Sequence, residues 1–122
     1  MTTSPESPIV LVTTVIDDRE VAERIARELV GARLAACVQL SPAPVTSVFR
    51  WPDEQTGEPE IQSEQEWTVT AKTTASRALE AVDAIRTTHT YDVPEILVTP
   101  VIGGYGPYLE WVKSETSLTP PS

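Results

Sequence analysis

Residues 9–29 read IVLVTTVIDDREVAERIAREL, and this stretch joins a strand pattern to a helix pattern. Residues 9–12 are apolar at consecutive positions, which predicts a strand buried on both faces. Asp17 is the predicted N-cap of a helix, with Glu20 three residues later in the spacing of a capping box. Gly31 lies where the C-cap of that helix is expected. The apolar stripe of the helix comprises Val21, Ala22, Ile25, Ala26 and Leu29.

Two further strands are predicted after this helix. Residues 34–40 and 45–51 are both apolar, and we predict one strand that is interrupted by Pro42 and Pro44. Turn residues follow at 52–57. A long strand is then predicted from about residue 60 to residue 73, because apolar and polar side chains alternate in its second half.

The last third of the chain repeats the helix and strand signals. Thr74 can cap a second helix, Pro94 precedes a strand predicted over residues 95–102, and Gly106-Pro107 begins a helix that covers residues 108 to about 115. The predicted apolar stripe of the second helix comprises Ala75, Ala78, Leu79, Val82 and Ile85.

The predicted order of elements is β-α-β-β-α-β followed by a C-terminal helix. This order is typical of the α+β ferredoxin-like split βαβ fold, in which two helices cover one face of a four-stranded antiparallel sheet. Other α+β folds are also compatible with it. We predict a single domain over residues 9–115, with a flexible segment at 1–8 and a flexible tail at 116–122, since both ends are rich in Ser and Pro.

The other face of that sheet has no predicted cover. Residues 9–12 and 96–98 are apolar at consecutive positions, so both faces of these strands are expected to be apolar. Monomeric proteins rarely expose a large apolar patch. We therefore predict that the chain self-associates through the uncovered face.

The composition excludes several classes of function. The chain has 122 residues and a formal net charge of −9, which disfavours binding to nucleic acids and to anionic membrane surfaces. Cys37 is the single cysteine, so the chain cannot form an internal disulfide bond. The N-terminal residues lack the basic and apolar regions of a secretory signal, and a cytoplasmic protein is predicted.

Several segments, in their order and spacing, resemble the CutA family of divalent-cation tolerance proteins. These are Leu34-Ala35-Ala36-Cys37-Val38, Trp51 before an acidic turn, Lys72-Thr73, Tyr91-Asp92-Val93-Pro94-Glu95-Ile96 and Tyr108-Leu109-Glu110-Trp111. The resemblance implies a ferredoxin-like protomer in a stable homotrimer similar to PII signalling proteins. It implies no established catalytic reaction and no required cofactor, and it implies an association with divalent metals, including copper.

His89 is the only histidine and is the candidate metal ligand. The alternative is a packing residue at the end of a helix. By the resemblance, Thr13 and Thr88 occupy positions where relatives with a copper site carry a cysteine and a second histidine. Because both ligands are missing, the sequence predicts weak binding of divalent cations rather than a tight copper site.

A cleft between subunits is the second candidate site, and it would serve a PII-like sensor or a scaffold that binds a small anion or a partner. Six acidic residues lie between Asp53 and Glu66, and they could hold a hard cation or could simply form a solvated hairpin. Lys72 could recognise an anion or pair with an acid of another subunit. The candidate cleft residues are Glu64, Glu66, Lys72, Tyr91 and Glu95.

The remaining aromatic residues are assigned to packing and to the interface between subunits. They are Trp51, Trp67, Tyr108 and Trp111. An enzyme of the acylphosphatase type is disfavoured, because such chemistry needs an asparagine and the chain contains none.

Overall fold

A computed structural model of the protein describes residues 8–117, and its order of elements matches the predicted one except that the second predicted strand is divided into two. Among these residues, no helix is long and apolar enough to cross a membrane. The elements are β1 (Ile9–Ile16), α1 (Arg19–Gly31), β2 (Cys37–Leu40), β3 (Val45–Pro52), β4 (Pro59–Thr74), α2 (Ala75–Thr88), β5 (Ile96–Pro100) and α3 (Gly106–Glu115).

The two ends of the domain are tied to the start of α2. The Ala75 backbone N–H donates to the carbonyl of Pro8 at 2.8 Å. The Thr116 hydroxyl is buried, donates to the carbonyl of Val112 and lies 3.5 Å from the hydroxyl of Thr74. Segments 1–8 and 116–122 were predicted to be flexible. Most of their residues, 1–7 and 118–122, lie outside the described residues.

The sheet is antiparallel, with strand order β2-β4-β1-β5. The strand predicted to be interrupted by prolines is two separate strands, which pair with different halves of β4. β2 pairs with residues 69–72 of β4, and β3 pairs with residues 59–66. The β3–β4 hairpin therefore extends beyond the part of the sheet that the helices cover.

Helices α1 and α2 pack on one face of the sheet, as predicted, and the core lies between them and the strands. Alternate residues of β1 face this core because side chains alternate along a strand. The fully buried side chains are mainly aliphatic, which explains how a single layer of helices stabilises the domain. They include Val12, Ile16, Ile25, Leu29, Val69, Ile85 and Val112.

The opposite face, which we call the open sheet face, carries both apolar and polar side chains. Helix α3 lies on one end of it, since Thr116 meets Thr74 and Tyr108 lies near Cys37. The register places Leu11, Thr13, Val15, Cys37, Gln39, Thr68, Thr70, Lys72, Leu97 and Thr99 on this face. The predicted apolar strands do place Leu11 and Leu97 on this face, but threonines and Lys72 lie between these apolar residues.

Each end of α1 differs from the prediction by one residue, since the caps are Asp18 and Ala32. The N-cap is Asp18 rather than Asp17, and its carboxylate accepts from the backbone N–H groups of Glu20 and Val21. Gly31 is the last helical residue, and Arg33 takes the left-handed conformation with φ 60°. The Arg33 guanidinium donates to the carbonyls of Ser114 and Glu115, and these bonds hold the end of α3.

The buried stripe of α2 also differs from the prediction. Ala75 and Leu79 are exposed, with 82% of Leu79 accessible, whereas Arg77 and Ala81 are buried. The Arg77 guanidinium is tolerated there because it donates to Glu80 at 2.9 Å and to the carbonyl of Arg33 at 3.5 Å. The last strand is shorter than the predicted 95–102.

Candidate functional site

His89 is the C-cap of α2 and joins that helix to β1. Its backbone N–H donates to the carbonyl of Ile85, and its side chain is 8% exposed. The ring atom Nε2 lies 2.8 Å from the carbonyl oxygen of Val15. The ring atom Nδ1 accepts a hydrogen bond of 3.1 Å from the backbone N–H of Tyr91.

These two contacts assign the tautomer of the His89 ring. Because Nδ1 accepts from Tyr91, the ring proton is on Nε2, which donates to Val15. A neutral imidazole has one ring lone pair available to a metal, and here Tyr91 occupies it. A metal could bind His89 only after one of the two hydrogen bonds is broken. The prediction of weak binding therefore gains a physical reason, while the role of His89 as a ligand stays a prediction.

Of the other two positions considered for metal ligands, Thr13 lies in the sheet, and Thr88, which precedes His89 in the chain, has another partner. Thr13 is on the open sheet face, opposite Thr70 and Leu97. Thr88 lies in the helical layer, where its hydroxyl donates to a carboxylate oxygen of Glu28 at 2.7 Å. Among residues 8–117, no group of three or more His, Cys, Asp or Glu side chains is placed to hold a metal ion.

Tyr91 and Glu66, both predicted for the cleft, are in direct contact. The Tyr91 hydroxyl donates to Oε2 of Glu66 at 2.8 Å, and Glu66 is only 6% exposed. The Tyr91 ring also meets the His89 ring edge-on, with centroids 4.6 Å apart. A short chain of contacts thus runs from the carbonyl of Val15 through His89 and Tyr91 to a buried carboxylate.

This environment raises the pKa of Tyr91 above its ordinary value. Burial is the largest cause, followed by the hydrogen bond to Glu66 and by the negative charges of Glu66 and Asp17, while the backbone of Asp17 acts in the opposite direction. Both main causes favour the neutral phenol. The hydrogen bond to Glu66 is therefore kept across the physiological pH range.

The other predicted cleft residues lie apart from this contact. The Glu64 side chain is exposed on the hairpin, opposite Ser47. Glu95 is exposed, and its backbone carbonyl accepts from the Thr14 hydroxyl at 2.7 Å. Lys72 is on the open sheet face and donates to Oε1 of Gln39. One chain therefore brings together only two of the five predicted residues.

The four aromatic residues assigned to packing and the interface fall into two groups. Trp67 packs against the core. The other three are partly exposed: Trp51 is on the hairpin, and Tyr108 and Trp111 lie on α3 with ring centroids 5.6 Å apart. Exposed aromatic side chains of this kind are compatible with an interface that one chain does not complete.

Sequence reasoning missed the partners that hold His89. The Val15 carbonyl is 74 positions away in the sequence, and any residue type supplies the same carbonyl. The Tyr91 backbone N–H likewise carries no sequence signal. The only available hint was that a helix often ends at a residue whose side chain reaches backbone groups.

The Tyr91→Phe variant should lower the free energy of unfolding at pH 7 by about 1–3 kcal/mol, because it leaves the buried Glu66 carboxylate without its donor. The raised pKa stabilises the folded state below the ordinary tyrosine pKa of about 10, and this contribution disappears as the pH rises through the folded pKa. Urea unfolding at pH 7 and pH 11 measures both effects.

Tyr105→Phe is the matched control, since that side chain is exposed and should change stability little. The difference in the free energy of unfolding between wild type and Tyr91→Phe should be smaller at pH 11 than at pH 7. The difference between wild type and Tyr105→Phe should stay near zero at both pH values. An equal effect of the two variants at pH 7 would contradict the role assigned to the Tyr91 hydroxyl.

The fold and this site define an α+β protein of the ferredoxin-like class in which the only histidine is bound to backbone groups on both ring nitrogens. Residues 9–115 match the family described as CutA1 divalent ion tolerance protein. The chain belongs to that family.

Relatives and solved structures agree with this assignment. The chain is 34% identical over 109 residues to Protein CutA, chloroplastic, of Arabidopsis thaliana, covering 89% of this chain and 56% of the relative. It is 36% identical over 108 residues to the divalent-cation tolerance protein CutA of Thermus thermophilus, covering 88% of this chain and 96% of the relative. The crystal structure of CutA1 from Oryza sativa superposes with a TM-score of 0.82 at 31% identity, over 92% of this chain and 96% of that chain. The chain thus spans little more than half of the Arabidopsis relative but nearly all of the bacterial one.

Proposed function

We propose that this protein is a non-catalytic, cytoplasmic homotrimer that acts in divalent-cation tolerance and binds divalent cations, copper included, only weakly. The observation that carries the proposal is the open sheet face together with the projecting β3–β4 hairpin. Both present apolar side chains to solvent, including Leu97, Val48, Trp51 and Ile61. Exposed patches of this kind usually mark an interaction surface.

Assembly through these surfaces would cover the apolar side chains with other copies of the chain. The β3–β4 hairpin pairs only within itself over residues 59–66, so it is available to contact a neighbour. The family resemblance supports three subunits. In such an assembly, the cleft between subunits would include Glu64, Glu66, Lys72, Tyr91 and Glu95.

The bonding of His89 supports a non-catalytic role. A general base needs a free lone pair within reach of the proton that it abstracts. The His89 lone pair accepts from Tyr91, and the ring proton is donated to Val15. The only imidazole of the chain is thus used to anchor α2 to β1.

Weak cation binding follows from the charge and from the missing ligands. The net charge of −9 attracts cations in general. A tight copper site needs several nitrogen or sulfur ligands, whereas Thr13 and Thr88 supply hydroxyl groups on different layers of the fold. Cations would then be held by carboxylates, with some sites completed by a neighbouring subunit.

Copper titration by calorimetry should give a dissociation constant no tighter than about 1 μM for the wild type. His89→Ala should weaken this binding by less than about threefold, because the wild-type ring has no free lone pair. Light scattering and circular dichroism on both proteins would verify that the variant is folded and assembled.

Two results would change these conclusions. A nanomolar affinity in the wild type would contradict the proposal of weak binding and would indicate ligands assembled across subunits. A loss of tenfold or more in His89→Ala would show that the ring leaves its hydrogen bonds and binds the metal.

A second candidate function is a sensor or scaffold that binds a small anion between subunits. The specific observation in its favour is Lys72, whose ammonium group has a neutral acceptor rather than a carboxylate. Nothing in this function requires cation binding, so the two candidates can be tested separately.

A further inference from the structure

The two lysines of the chain have different partners. Lys113, on α3, pairs with the carboxylate of Glu110 at 3.3 Å. Lys72, on the open sheet face, donates to the amide oxygen Oε1 of Gln39 at 2.5 Å and makes no ion pair within residues 8–117. A half-buried ammonium has three donors, and a single neutral acceptor leaves two of them available.

Other hydrogen-bond donors surround Lys72 on the same face. In the strand register, Cys37 is opposite Lys72 and Gln39 is opposite Thr70, so all four side chains share the open sheet face. Because the Gln39 oxygen accepts from Lys72, its amide nitrogen can donate elsewhere. Along this face of β4, the first carboxylate is Glu66, six residues and roughly 20 Å away.

Two aromatic rings lie on α3, the helix that packs on this end of the open sheet face. Tyr108, in the first turn of α3, lies near Cys37, and burial followed by this neighbour raises the pKa of Tyr108. The Tyr108 and Trp111 rings are 5.6 Å apart with a tilt of 37°, and both are partly exposed. The surface therefore combines one cation and neutral donors with an apolar aromatic side.

We propose that this surface, which we call the Lys72 patch (Lys72, Gln39, Thr70, Cys37, Tyr108 and Trp111), binds a small carboxylate with an aromatic body. The carboxylate would accept charge-assisted hydrogen bonds from Lys72 and from the Gln39 amide. The aromatic body would stack against Tyr108 and Trp111. A phosphate group is a poorer match, because the patch offers one cation and no cluster of backbone N–H groups.

This inference deepens the second candidate function and names its ligand class. The patch includes β2, an edge strand of the sheet, so it can open to a cleft when copies of the chain assemble on the open sheet face. The neighbouring copy could instead supply a carboxylate to Lys72. A Lys72 that is open to the cleft would bind an added carboxylate, whereas a Lys72 paired with a neighbouring copy would not.

Sodium benzoate is the probe, titrated into the full-length protein and followed by NMR shifts of the Gln39 side-chain amide and the Trp111 indole. We expect a dissociation constant of about 1 mM, as suits a ligand of this size. Acetate, benzyl alcohol and inorganic phosphate should each bind at least about tenfold more weakly, since each lacks one of the matching groups.

Lys72→Met should weaken benzoate binding at least about tenfold, whereas Lys113→Met should leave it unchanged. Trp111→Leu should weaken it severalfold. Equal binding by wild type and Lys72→Met would overturn the proposal, as would equal binding of acetate and benzoate. Light scattering on the wild type and on each variant measures assembly independently of ligand binding. If the wild type assembles but does not bind benzoate, the proposed ligand class is refuted and the proposed assembly is not.

Discussion

Leu97→Asp should convert the assembled protein into chains of single mass, whereas Leu79→Asp should leave the assembly intact. Both leucines are exposed in one chain, at 54% and 82%. Leu97 is on the open sheet face, opposite Thr13, and Leu79 is on the outer side of the helical layer. A carboxylate at position 97 would be buried without a partner in any assembly through the open sheet face.

Light scattering at micromolar concentration measures this effect. The wild type should show three times the chain mass of 13.3 kDa, and so should Leu79→Asp. The melting temperature of the wild type should also rise with protein concentration where unfolding is reversible, since unfolding then includes dissociation. A wild type of single-chain mass, or a trimeric Leu97→Asp, would show that the open sheet face is not the interface.

Leu29→Ala should lower the free energy of unfolding by about 2–5 kcal/mol, because it leaves a cavity in a packed core. Leu29 is 1% exposed and lies in the core between α1 and the sheet. Leu79→Ala is the matched control, with the same chemical change on an exposed helix surface, and should change stability by no more than about 0.5 kcal/mol. Urea unfolding at one fixed protein concentration measures both variants.

The comparison also tests the assignment of the α2 faces. The sequence pattern predicted that both leucines are buried, and the structure buries only Leu29. If Leu79→Ala were as damaging as Leu29→Ala, the outer surface of α2 would have to be covered in the assembly, and the open sheet face would not be the only interface.

Local patterns predicted the helices and strands well but placed some of their faces wrongly. In α2, Leu79 was predicted to be buried but is exposed, whereas Arg77, which was not in the predicted stripe, is buried. Hydrophobicity alone assigns the leucine to the core. The arginine is buried because Glu80 and the Arg33 carbonyl accept from it, and a pattern along one helix cannot show a contact with Arg33, 44 residues away.

The candidate site shows the same limit. Tyr91 and Glu66 were both predicted for a cleft, and the fold joins them by a hydrogen bond across 25 residues of sequence. His89 was predicted as a metal ligand from the chemistry of imidazole and from the family resemblance. Its ring is held by backbone groups, which are identical for nearly every residue type, so no sequence pattern could have revealed them.

The sequence by itself determined the helices, every strand except the divided second one, the acidic charge and the family resemblance, because these depend on residue types and on spacings within one element. Only the tertiary structure decided that the His89 lone pair is occupied, that Thr13 and Thr88 lie in different layers and that Lys72 donates to a neutral acceptor. The physical reason is that each of these properties depends on which groups meet across strands and layers. Strand register and packing decide which groups are in contact, and both depend on residues that are distant in the sequence.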